Sequence, residues 1–383
     1  MKFGSLIFAN LFRKKMRLVL TVGSFAVALF LFAFLAVVKS AFSRGVEIAG
    51  ADRLVIINRI SLINPLPLSY RDRILQIPGV KVVTHDNWFG GVYQEEKNFF
   101  PQFAIDVENQ RQVYPELVVP DDQWQVFLKD REGAVVGART ADRFGWKIGD
   151  RIPIKSAGYG PSTTWEFNID GIYHSTKAGG DESQFWFQWD RFEEGVPQTF
   201  KGNVGWYVLR LDNPDDAVRV AKTIDDMFAN SSYETKTETE SAFEAGWAKA
   251  FGNIEFLILA IGSVVFFTLL LVTGNTMAIS VRERIGEMAV LKAIGYSDRT
   301  ILFFVLAEAL IIGLFGGILG LAFAVLAVPV LGRALAGLLP QLILSPQILS
   351  LGLLAALIVG MAGGILPGVG AMRMRVVTAL RRV

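Results

Sequence analysis

The stretch FLILAIGSVVFFTLLLVTGNTMAISV, residues 256–281, carries no charged side chain over 26 residues and decides the fold of this chain. An α-helix needs about 20 apolar residues to cross about 30 Å of hydrocarbon. Similar runs occupy residues 18–38, 301–331 and 344–370, and the run 301–331 is interrupted by Glu308 alone. The chain as a whole is 52% hydrophobic, which is too apolar for an ordinary soluble domain. The four runs therefore predict four transmembrane helices.

The distribution of Lys and Arg predicts how these helices are oriented. Basic residues cluster at the N-terminus, between the second and third runs and in the C-terminal tail, whereas the segment between the third and fourth runs has only Arg333. Because basic residues are retained on the cytoplasmic side, we expect a multi-pass protein of the inner (cytoplasmic) membrane with both termini in the cytoplasm. The first run is longer than the apolar region of a secretory signal and lacks a clean cleavage site, so we interpret it as a retained anchor.

The expected fold is a membrane protein with four transmembrane α-helices and a large α+β extracytoplasmic domain between helices 1 and 2. In chain order, the predicted segments are a cytoplasmic start at 1–17, helix 1 at 18–39, the extracytoplasmic domain with its stalk at 40–253, helix 2 at 254–281, a cytoplasmic helix within 282–300, helix 3 at 301–331, an external loop at 332–343, helix 4 at 344–370 and a cytoplasmic tail at 371–383.

The predicted outer domain, residues 40–253, holds 23 Lys and Arg against 31 Asp and Glu, a net charge of −8. Strand-like patterns such as 53–58 alternate there with helix-like patterns such as 138–144 and 214–230, which favours an α+β domain. No basic patch with interleaved aromatic residues is present, so nucleic-acid binding has no support. We interpret the aromatic stretch 185–190 as a strand buried on both faces rather than a platform for hydrophobic cargo.

The chain offers no pattern that predicts catalysis or metal binding. It has no cysteine, and its two histidines, His85 and His174, lie in no metal-spaced cluster. No HExxH and no GxxxxGK[ST] motif occurs. We therefore expect no catalytic or metal-ligating residue, and any ATP that drives this protein must bind to another chain.

The segment that follows the second run, VRERIGEMAVLKAIGYS at residues 281–297, has the pattern of a short amphipathic helix. Ile285, Met288, Ala289 and Lys292 fall on one face, Gly295 supplies a stop and a serine follows that can cap the next helix. Such a helix is too short to span a bilayer. We expect it to lie at the membrane surface or against a partner, with Ile285 on the docking face.

This segment resembles the signature of the FtsX/MacB family of ABC-transporter permeases, which runs approximately R-x-R-E-I-G-x-L-K/R-A-I-G-A-S. The chain departs from it at Tyr296, where a small residue is common, and at the family's Glu after the second Arg, although acidic residues stand nearby. The resemblance implies that the segment is a coupling helix that docks on an ATPase, with the following residues as its contact set: Arg282, Glu283, Arg284, Ile285, Gly286, Glu287, Met288, Lys292, Ala293, Ile294 and Gly295.

The resemblance extends over nearly the whole chain and implies a function. It implies a permease subunit, not itself an enzyme, that binds no cofactor and uses ATP and Mg through a cytoplasmic ABC ATPase. Implied partners are a second permease copy or homologue, a periplasmic adaptor and membrane lipid. The implied output is export or extraction of a lipophilic, peptide or antibiotic-like substrate. Two alternatives remain open: an FtsX-like signal transducer that activates a cell-wall hydrolase, and a proton-driven transporter centred on Glu308.

Two features inside the predicted helices have structural interpretations. Glu308 is an ionisable residue about two turns from the cytoplasmic end of helix 3, where it can reach interfacial water or basic residues. Glycines at i, i+4 spacing favour close helix packing in lipid. These glycines are Gly313, Gly316, Gly317, Gly320, Gly360, Gly364 and Gly368.

A further helical stripe precedes the second run and predicts a stalk. Its members recur at helical spacing and are Phe243, Trp247, Ala250, Phe251 and Ile254. We expect one continuous helix from about residue 241 to residue 281, roughly 60 Å long at 1.5 Å per residue. The stripe would pack against the chain entering from helix 1 or against a partner protomer. The alternative is an interfacial helix followed by a bend at Gly252 and Asn253.

Overall fold

The computed structural model describes residues 13–156, 158–159, 163–250, 254–335 and 341–375. Its helices are α1 (Lys15–Ile48), α2 (Tyr70–Leu75), α3 (Gln110–Val113), α4 (Asp121–Lys129), α5 (Ala138–Phe144), α6 (Trp189–Gly195), α7 (Ala217–Phe228), α8 (Glu240–Ala250), α9 (Ile254–Glu283), α10 (Ile285–Ala293), α11 (Asp298–Ala334) and α12 (Pro346–Met372). Its strands are β1 (Arg53–Asn58), β2 (Leu66–Pro67), β3 (Val80–Trp88), β4 (Gln102–Ile105), β5 (Leu117–Val118), β6 (Gly133–Gly137), β7 (Arg151–Lys155), β8 (Thr164–Ser175), β9 (Phe185–Gln188), β10 (Asn203–Val204), β11 (Trp206–Leu211) and β12 (Thr235–Thr239).

The described residues fall into two compact units. One, which we call the helix unit, lies within residues 1–40, 253–332 and 342–383, and the other, the inter-span domain, lies within 41–252 and 333–341. Among the described residues, four helices are long and apolar enough to cross a membrane, at Lys15–Ser43, Glu255–Glu283, Asp298–Ala334 and Pro346–Met372. The predicted fold of four apolar helices with an α+β domain between the first two is confirmed. Helix α1 continues nine residues beyond the predicted end at residue 39, to Ile48, because no proline interrupts it there.

The inter-span domain is built on a mixed sheet. Among the described residues the strand order is β12-β1-β11-β3-β4-β9-β6-β8-β5, with β7 paired to β8. Most neighbours are antiparallel, while β4 with β9 and β6 with β8 run parallel. Strand β9 lies in the middle of the sheet and is buried along its whole length. Its Phe185 and Phe187 pack into the larger core, whereas Trp186 packs into the core on the other face. The interpretation of this aromatic stretch as a doubly buried strand is confirmed for residues 185–188, whereas Trp189 and Asp190 begin α6.

A buried ion-pair network joins the two ends of the inter-span domain. The Arg53 guanidinium, at the start of β1, lies 2.8 Å from Glu116 and 2.7 Å from Glu240, the first residue of α8. Glu240 also accepts a hydrogen bond from the backbone N–H of Gly50, which follows α1. Burial opposes the charge on Arg53, but the carboxylates of Glu240 and Glu116 outweigh it and raise the Arg53 pKa above its usual value. The chain that enters from α1 and the chain that leaves through α8 are therefore held at one point.

Within the helix unit, the predicted glycines lie where backbones approach closely. A Cβ built on Gly320 of α11 would lie 2.3 Å from the Ala26 carbonyl oxygen of α1, and one on Gly316 would lie 2.3 Å from the Phe25 Cβ. On another face of α11, Gly313 lies against the Ala356 carbonyl of α12. Gly317, Gly360, Gly364 and Gly368 make similar contacts between α11 and α12. Small residues thus let α11 pack tightly against two neighbouring helices.

Helix α8 contains the first residues of the predicted stalk. Phe243 packs with Val55, Val82 and Val208 of the inter-span sheet, and of these Val55 belongs to β1, the first strand after the chain that enters from helix 1. The reason is that α8 is anchored at Glu240 beside the strands of the sheet. Phe251 and the side chains of Trp247, Ala250 and Ile254 lie outside the described residues. The continuity of α8 with α9 stays a prediction, because residues 251–253 lie outside them too.

Candidate functional site

The segment predicted as an amphipathic helix forms two separate elements. Helix α9 ends at Glu283, Arg284 adopts a non-helical conformation (φ −110°, ψ 13°), and α10 begins at Ile285. At the other end Gly295 has φ +102°, a left-handed conformation that favours glycine. The backbone N–H of Tyr296 donates to the Leu291 carbonyl at 3.1 Å, which closes the helix end. The predicted stop at Gly295 is confirmed.

The apolar face of α10 points into the helix unit. Met288 and Ala289 are buried, and Met288 packs in a cluster with Ile301 and Phe304 of α11. Ile285 is half-buried. The expectation that Ile285 lies on a docking face shared with Met288, Ala289 and Lys292 is therefore wrong. That face is the more apolar one, and in a chain with a large helix bundle it is buried against the chain's own helices.

Arg284 links the start of α10 to the interior of α11. Its Nη1 donates to Glu308 Oε2 at 2.8 Å, and both side chains are largely buried. Ser280 of α9 also lies 3.4 Å from Glu308. The ionisable residue in the predicted helix 3 therefore has its partner within the same chain. A carboxylate at this depth requires such a partner, because an unpaired charge there is costly.

Lys292 links the end of α10 to α12. Its ammonium donates to the backbone carbonyls of Met372 at 2.6 Å and Met374 at 3.0 Å, and it lies 2.7 Å from an Asp298 carboxylate oxygen. Met372 is the last residue of α12, where the helix dipole favours a positive charge. We call the contacts of Arg284 with Glu308 and of Lys292 with Met372, Met374 and Asp298 the polar clamp.

Acidic residues at the same end contact the start of α1. Glu283 accepts from Lys14 at 2.7 Å and from Arg17 at 2.6 Å, and Glu287 pairs with Arg13. The hydrogen bond from Arg13 lowers the pKa of Glu287. Because these side chains are largely exposed, each pair contributes little to stability. Together with the polar clamp, however, they give α10 and its flanks contacts with α1, α11 and α12.

The opposite side of α10 remains open. Val290 is 51% exposed and Ile294 is 68% exposed, while Glu287 and Ala293 are exposed beside them. Arg282, at the end of α9, is also exposed, and Gly286 is half-buried. We call Glu287, Val290, Ala293 and Ile294 the outer face of α10. Exposed branched aliphatic residues on a helix held so firmly on its other side are typical of a surface that receives a partner.

Comparison with known proteins places this site in a family. Residues 259–376, which contain α10, α11, α12 and most of α9, match the family described as FtsX-like permease C-terminal. The chain is similar to an uncharacterized ABC transporter permease of Methanocaldococcus jannaschii, with 25% identity over 80% of this chain and 77% of that protein. It is also similar to the uncharacterized ABC transporter permease YvrN of Bacillus subtilis, with 38% identity over 28% of this chain and 25% of that protein.

The C-terminal part of the chain thus carries an FtsX-like permease domain, and the chain is similar to ABC transporter permeases. Two solved structures resemble part of the chain. The periplasmic region of MacB from Actinobacillus actinomycetemcomitans has 10% identity and a TM-score of 0.38, over 53% of the chain and 94% of that structure. The extracellular domain of the noncanonic ABC-type transporter YknZ from Gram-positive bacteria has 11% identity and a TM-score of 0.35, over 49% of the chain and 100% of that domain.

Sequence patterns missed the network around Arg53 and the partners of Lys292. Arg53 and Glu240 are 187 positions apart, and Lys292 and Met372 are 80 positions apart, so no local spacing connects them. An arginine at the start of the apolar strand 53–58 was the available signal for the network, since a buried guanidinium requires a carboxylate. The tail residues 376–383 and the start 1–12, which belong to predicted cytoplasmic segments, lie outside the described residues.

Proposed function

We propose that this permease couples ATP hydrolysis by a separate cytoplasmic ABC ATPase to movement of the inter-span domain. The movement would export or extract a lipophilic, peptide or antibiotic-like substrate. In this proposal ATP and Mg²⁺ are bound by the ATPase, both termini and α10 lie in the cytoplasm, and the inter-span domain lies outside. Two permease copies act together, and a periplasmic adaptor extends the complex outward.

The outer face of α10 is the observation that carries this proposal. It presents Val290 and Ile294 to solvent on a helix whose other face is buried and whose ends are fixed by the polar clamp. When a partner displaces a surface helix that is fixed at both ends, the helices to which it is attached are displaced with it. Because α10 contacts α11, α12 and the start of α1, a displacement of α10 moves those helices with it.

The test compares apolar-to-charged substitutions at exposed positions on the outer face of α10 and away from it. Val290→Asp and Ile294→Asp place a charge in the proposed contact and should abolish co-purification with the proposed ABC ATPase. Ile63→Asp is the matched control, because Ile63 is exposed in the inter-span domain. It should retain the ATPase. All three variants should reach the membrane in equal amounts.

Retention of the ATPase by both α10 variants would contradict the proposed docking face. The output is tested separately by comparing wild type with Ile294→Asp in cells. Loss of substrate resistance or extraction supports transport. Loss of cell-wall hydrolase activation without any transport defect would instead identify the permease as a signal transducer.

A further inference from the structure

A small cavity opens between α1, α9 and α11, at the end of the helix unit that carries α10. Its volume is about 30 Å³, which is room for about two water molecules. The residues that line it are Lys14, Arg17, Leu18, Thr21, Thr276, Met277, Ser280, Glu308 and Ile312. The cavity thus brings charged and hydroxyl groups to the edge of an apolar helix bundle, where polar groups require hydrogen-bond partners.

Arg17 supplies an unused hydrogen-bond donor at this cavity. Its Nη2 donates to Glu283 at 2.6 Å, whereas its Nη1 is shielded from solvent and has no hydrogen bond to any described residue. A shielded N–H of a charged group that lacks an acceptor is costly. A guanidinium donates in a fixed fork that matches the oxygens of a phosphate group. The Nη1 of Arg17 therefore requires an acceptor that the described part of the chain does not provide.

The charges at the cavity favour an anion as that acceptor. Lys14 and Arg17 share a single carboxylate, that of Glu283. The other carboxylate at the cavity belongs to Glu308 and is already paired with Arg284 at 2.8 Å. One positive charge of these five side chains therefore has no opposite charge. It attracts an anion more strongly than it attracts water.

The position of the cavity along α1 favours a phospholipid over a soluble anion. Arg17 is the last charged residue before the apolar run 18–38, so its guanidinium lies where lipid headgroups meet hydrocarbon. One turn further along α1, Leu20 is 65% exposed, and Ile279 of α9 is 42% exposed. Acyl chains can cover these apolar side chains. Basic pockets between transmembrane helices are the usual sites for anionic headgroups.

We propose that this cavity binds the phosphate group of an anionic phospholipid. The cavity admits one phosphate oxygen, which accepts from Arg17 Nη1, and the rest of the headgroup lies at the cavity mouth beside the Lys14 ammonium. Binding requires only that α1 spans a bilayer, and it does not depend on the ATPase. Because Glu283 directly precedes Arg284 of the polar clamp, the bound headgroup strengthens the attachment of α1 beside α10.

Quenching of a reporter tryptophan by brominated lipids tests the proposal. Leu20→Trp places an indole one turn from Arg17, and residues 1–40 and 254–383 contain no tryptophan of their own. In phosphatidylcholine liposomes, brominated phosphatidylglycerol should bind about three- to tenfold more tightly at the reporter than brominated phosphatidylcholine. Inorganic phosphate, added at constant ionic strength, should not displace it. Equal quenching by the two lipids would overturn the proposal and leave a cavity that holds water. Displacement by inorganic phosphate would identify a site for a soluble anion and would also overturn it.

Charge substitutions in the reporter chain distinguish a defined site from general surface charge. Arg17→Gln removes the unused donor and should abolish the preference for phosphatidylglycerol. Lys15→Gln removes the same charge from an exposed position outside the cavity and should keep the preference. Glu283→Gln breaks the ion pairs of Lys14 and Arg17 but keeps both cations, so the preference should persist or increase. Loss of the preference in Lys15→Gln or in Glu283→Gln to the extent seen in Arg17→Gln would overturn the proposal.

Arg17→Lys tests the guanidinium fork and replaces Arg17→Gln if that variant does not fold. It keeps the charge but cannot donate in two directions from one plane, so it should retain only part of the preference. Thermal unfolding of each variant in detergent confirms that the helix unit is intact. Full preference in a folded Arg17→Lys variant would show that Arg17 Nη1 does not bind the phosphate group.

Discussion

The attachment of α10 to the other helices depends on individual buried charged residues. The pair of Arg284 and Glu308 lies among apolar helices, where the cost of removing two charges from water offsets most of their attraction. The pair of Arg13 and Glu287 lies at the surface and is screened by water. An arginine–glutamate pair therefore affects the stability of the fold differently when it is buried and when it is exposed.

Arg284→Met should destabilise the detergent-solubilised permease by about 3–5 kcal/mol, because it leaves the Glu308 carboxylate buried without its cation. Adding Glu308→Leu in the same chain should recover much of that loss. The measurement is a double-mutant cycle on the free energy of unfolding. Arg13→Met serves as the control and should cost about 1 kcal/mol or less. A loss at Arg284 no larger than at Arg13 would contradict the buried pair.

Asp86 makes the inter-span domain sensitive to pH. Burial, and the nearby negative charge of Asp106, raise the pKa of Asp86 to about 8. The folded state then binds a proton that the unfolded state releases near pH 4, so stability is present at low pH and falls as the pH rises towards 8. The slope for such a group is at most about 1.4 kcal/mol per pH unit.

Asp86→Asn should reduce this dependence and stabilise the domain at pH 8 relative to wild type, with little change at pH 5. The measurement is urea unfolding of the permease at both pH values, followed by tryptophan fluorescence. Asp121→Asn, at an exposed helix start, is the control and should keep the wild-type difference. The same difference between the two pH values in Asp86→Asn would show that another group titrates.

At the scale of elements, local sequence patterns correctly predicted the helices, strands and helix ends that depend on neighbouring residues. The four apolar helices, the strand at 53–58, the helix at 138–144 and the stop at Gly295 follow from neighbouring residues. The orientation of α10 could not be predicted from neighbouring residues. Whether its apolar face contacts a partner or the chain's own helices depends on its contacts with α11 and α12. The sheet residues that Phe243 contacts could not be predicted for the same reason. Its neighbour Val55 lies far away in the sequence.

Gly320→Ala tests helix packing within α11. Alanine favours a helix by about 1 kcal/mol over glycine, but its Cβ at this position would lie 2.3 Å from the Ala26 carbonyl oxygen. We therefore expect a lower melting temperature despite the better propensity. Gly262→Ala in α9 is the control, since a Cβ there meets no atom within 4 Å. It should leave the melting temperature unchanged or higher. Equal behaviour of the two variants would contradict the close contact of α1 and α11.

At the scale of the whole molecule, the orientation of the helices in the membrane decides which surface meets which partner. This orientation can be measured with single-cysteine reporters, because the chain has no native cysteine. Cys in place of Asp121 or Asp215 should react with a membrane-impermeant thiol reagent in intact cells. Cys in place of Asp298 or Arg382 should react only after permeabilisation, because basic residues retain those segments in the cytoplasm. Reversed labelling would place α10 outside and exclude a cytoplasmic ATPase as its partner.

The connection between α8 and α9 is the shortest covalent route between the inter-span domain and the helices that flank α10. Helix α8 is fixed to the domain by Glu240 and Phe243, whereas α9 ends beside Arg284. If the two helices act as one rod, two glycines inserted after Ala250 rotate one part against the other by about 200° and add about 3 Å. They also weaken the helix at that point. Domain folding and ATPase binding should then survive, but export should be lost.

Two glycines inserted after Glu96, in an exposed loop of the inter-span domain, provide the matched control and should preserve export. Export, ATPase co-purification and domain unfolding are measured on both variants. Full export after the insertion at Ala250 would mean that movement reaches the domain by another route. The remaining covalent route is α1, whose chain meets Glu240 at Gly50. Loss of export after both insertions would show only that the domain tolerates no added residues. The α8–α9 connection is therefore identified as the transmitting element if export is lost after the insertion at Ala250 and preserved after the insertion at Glu96.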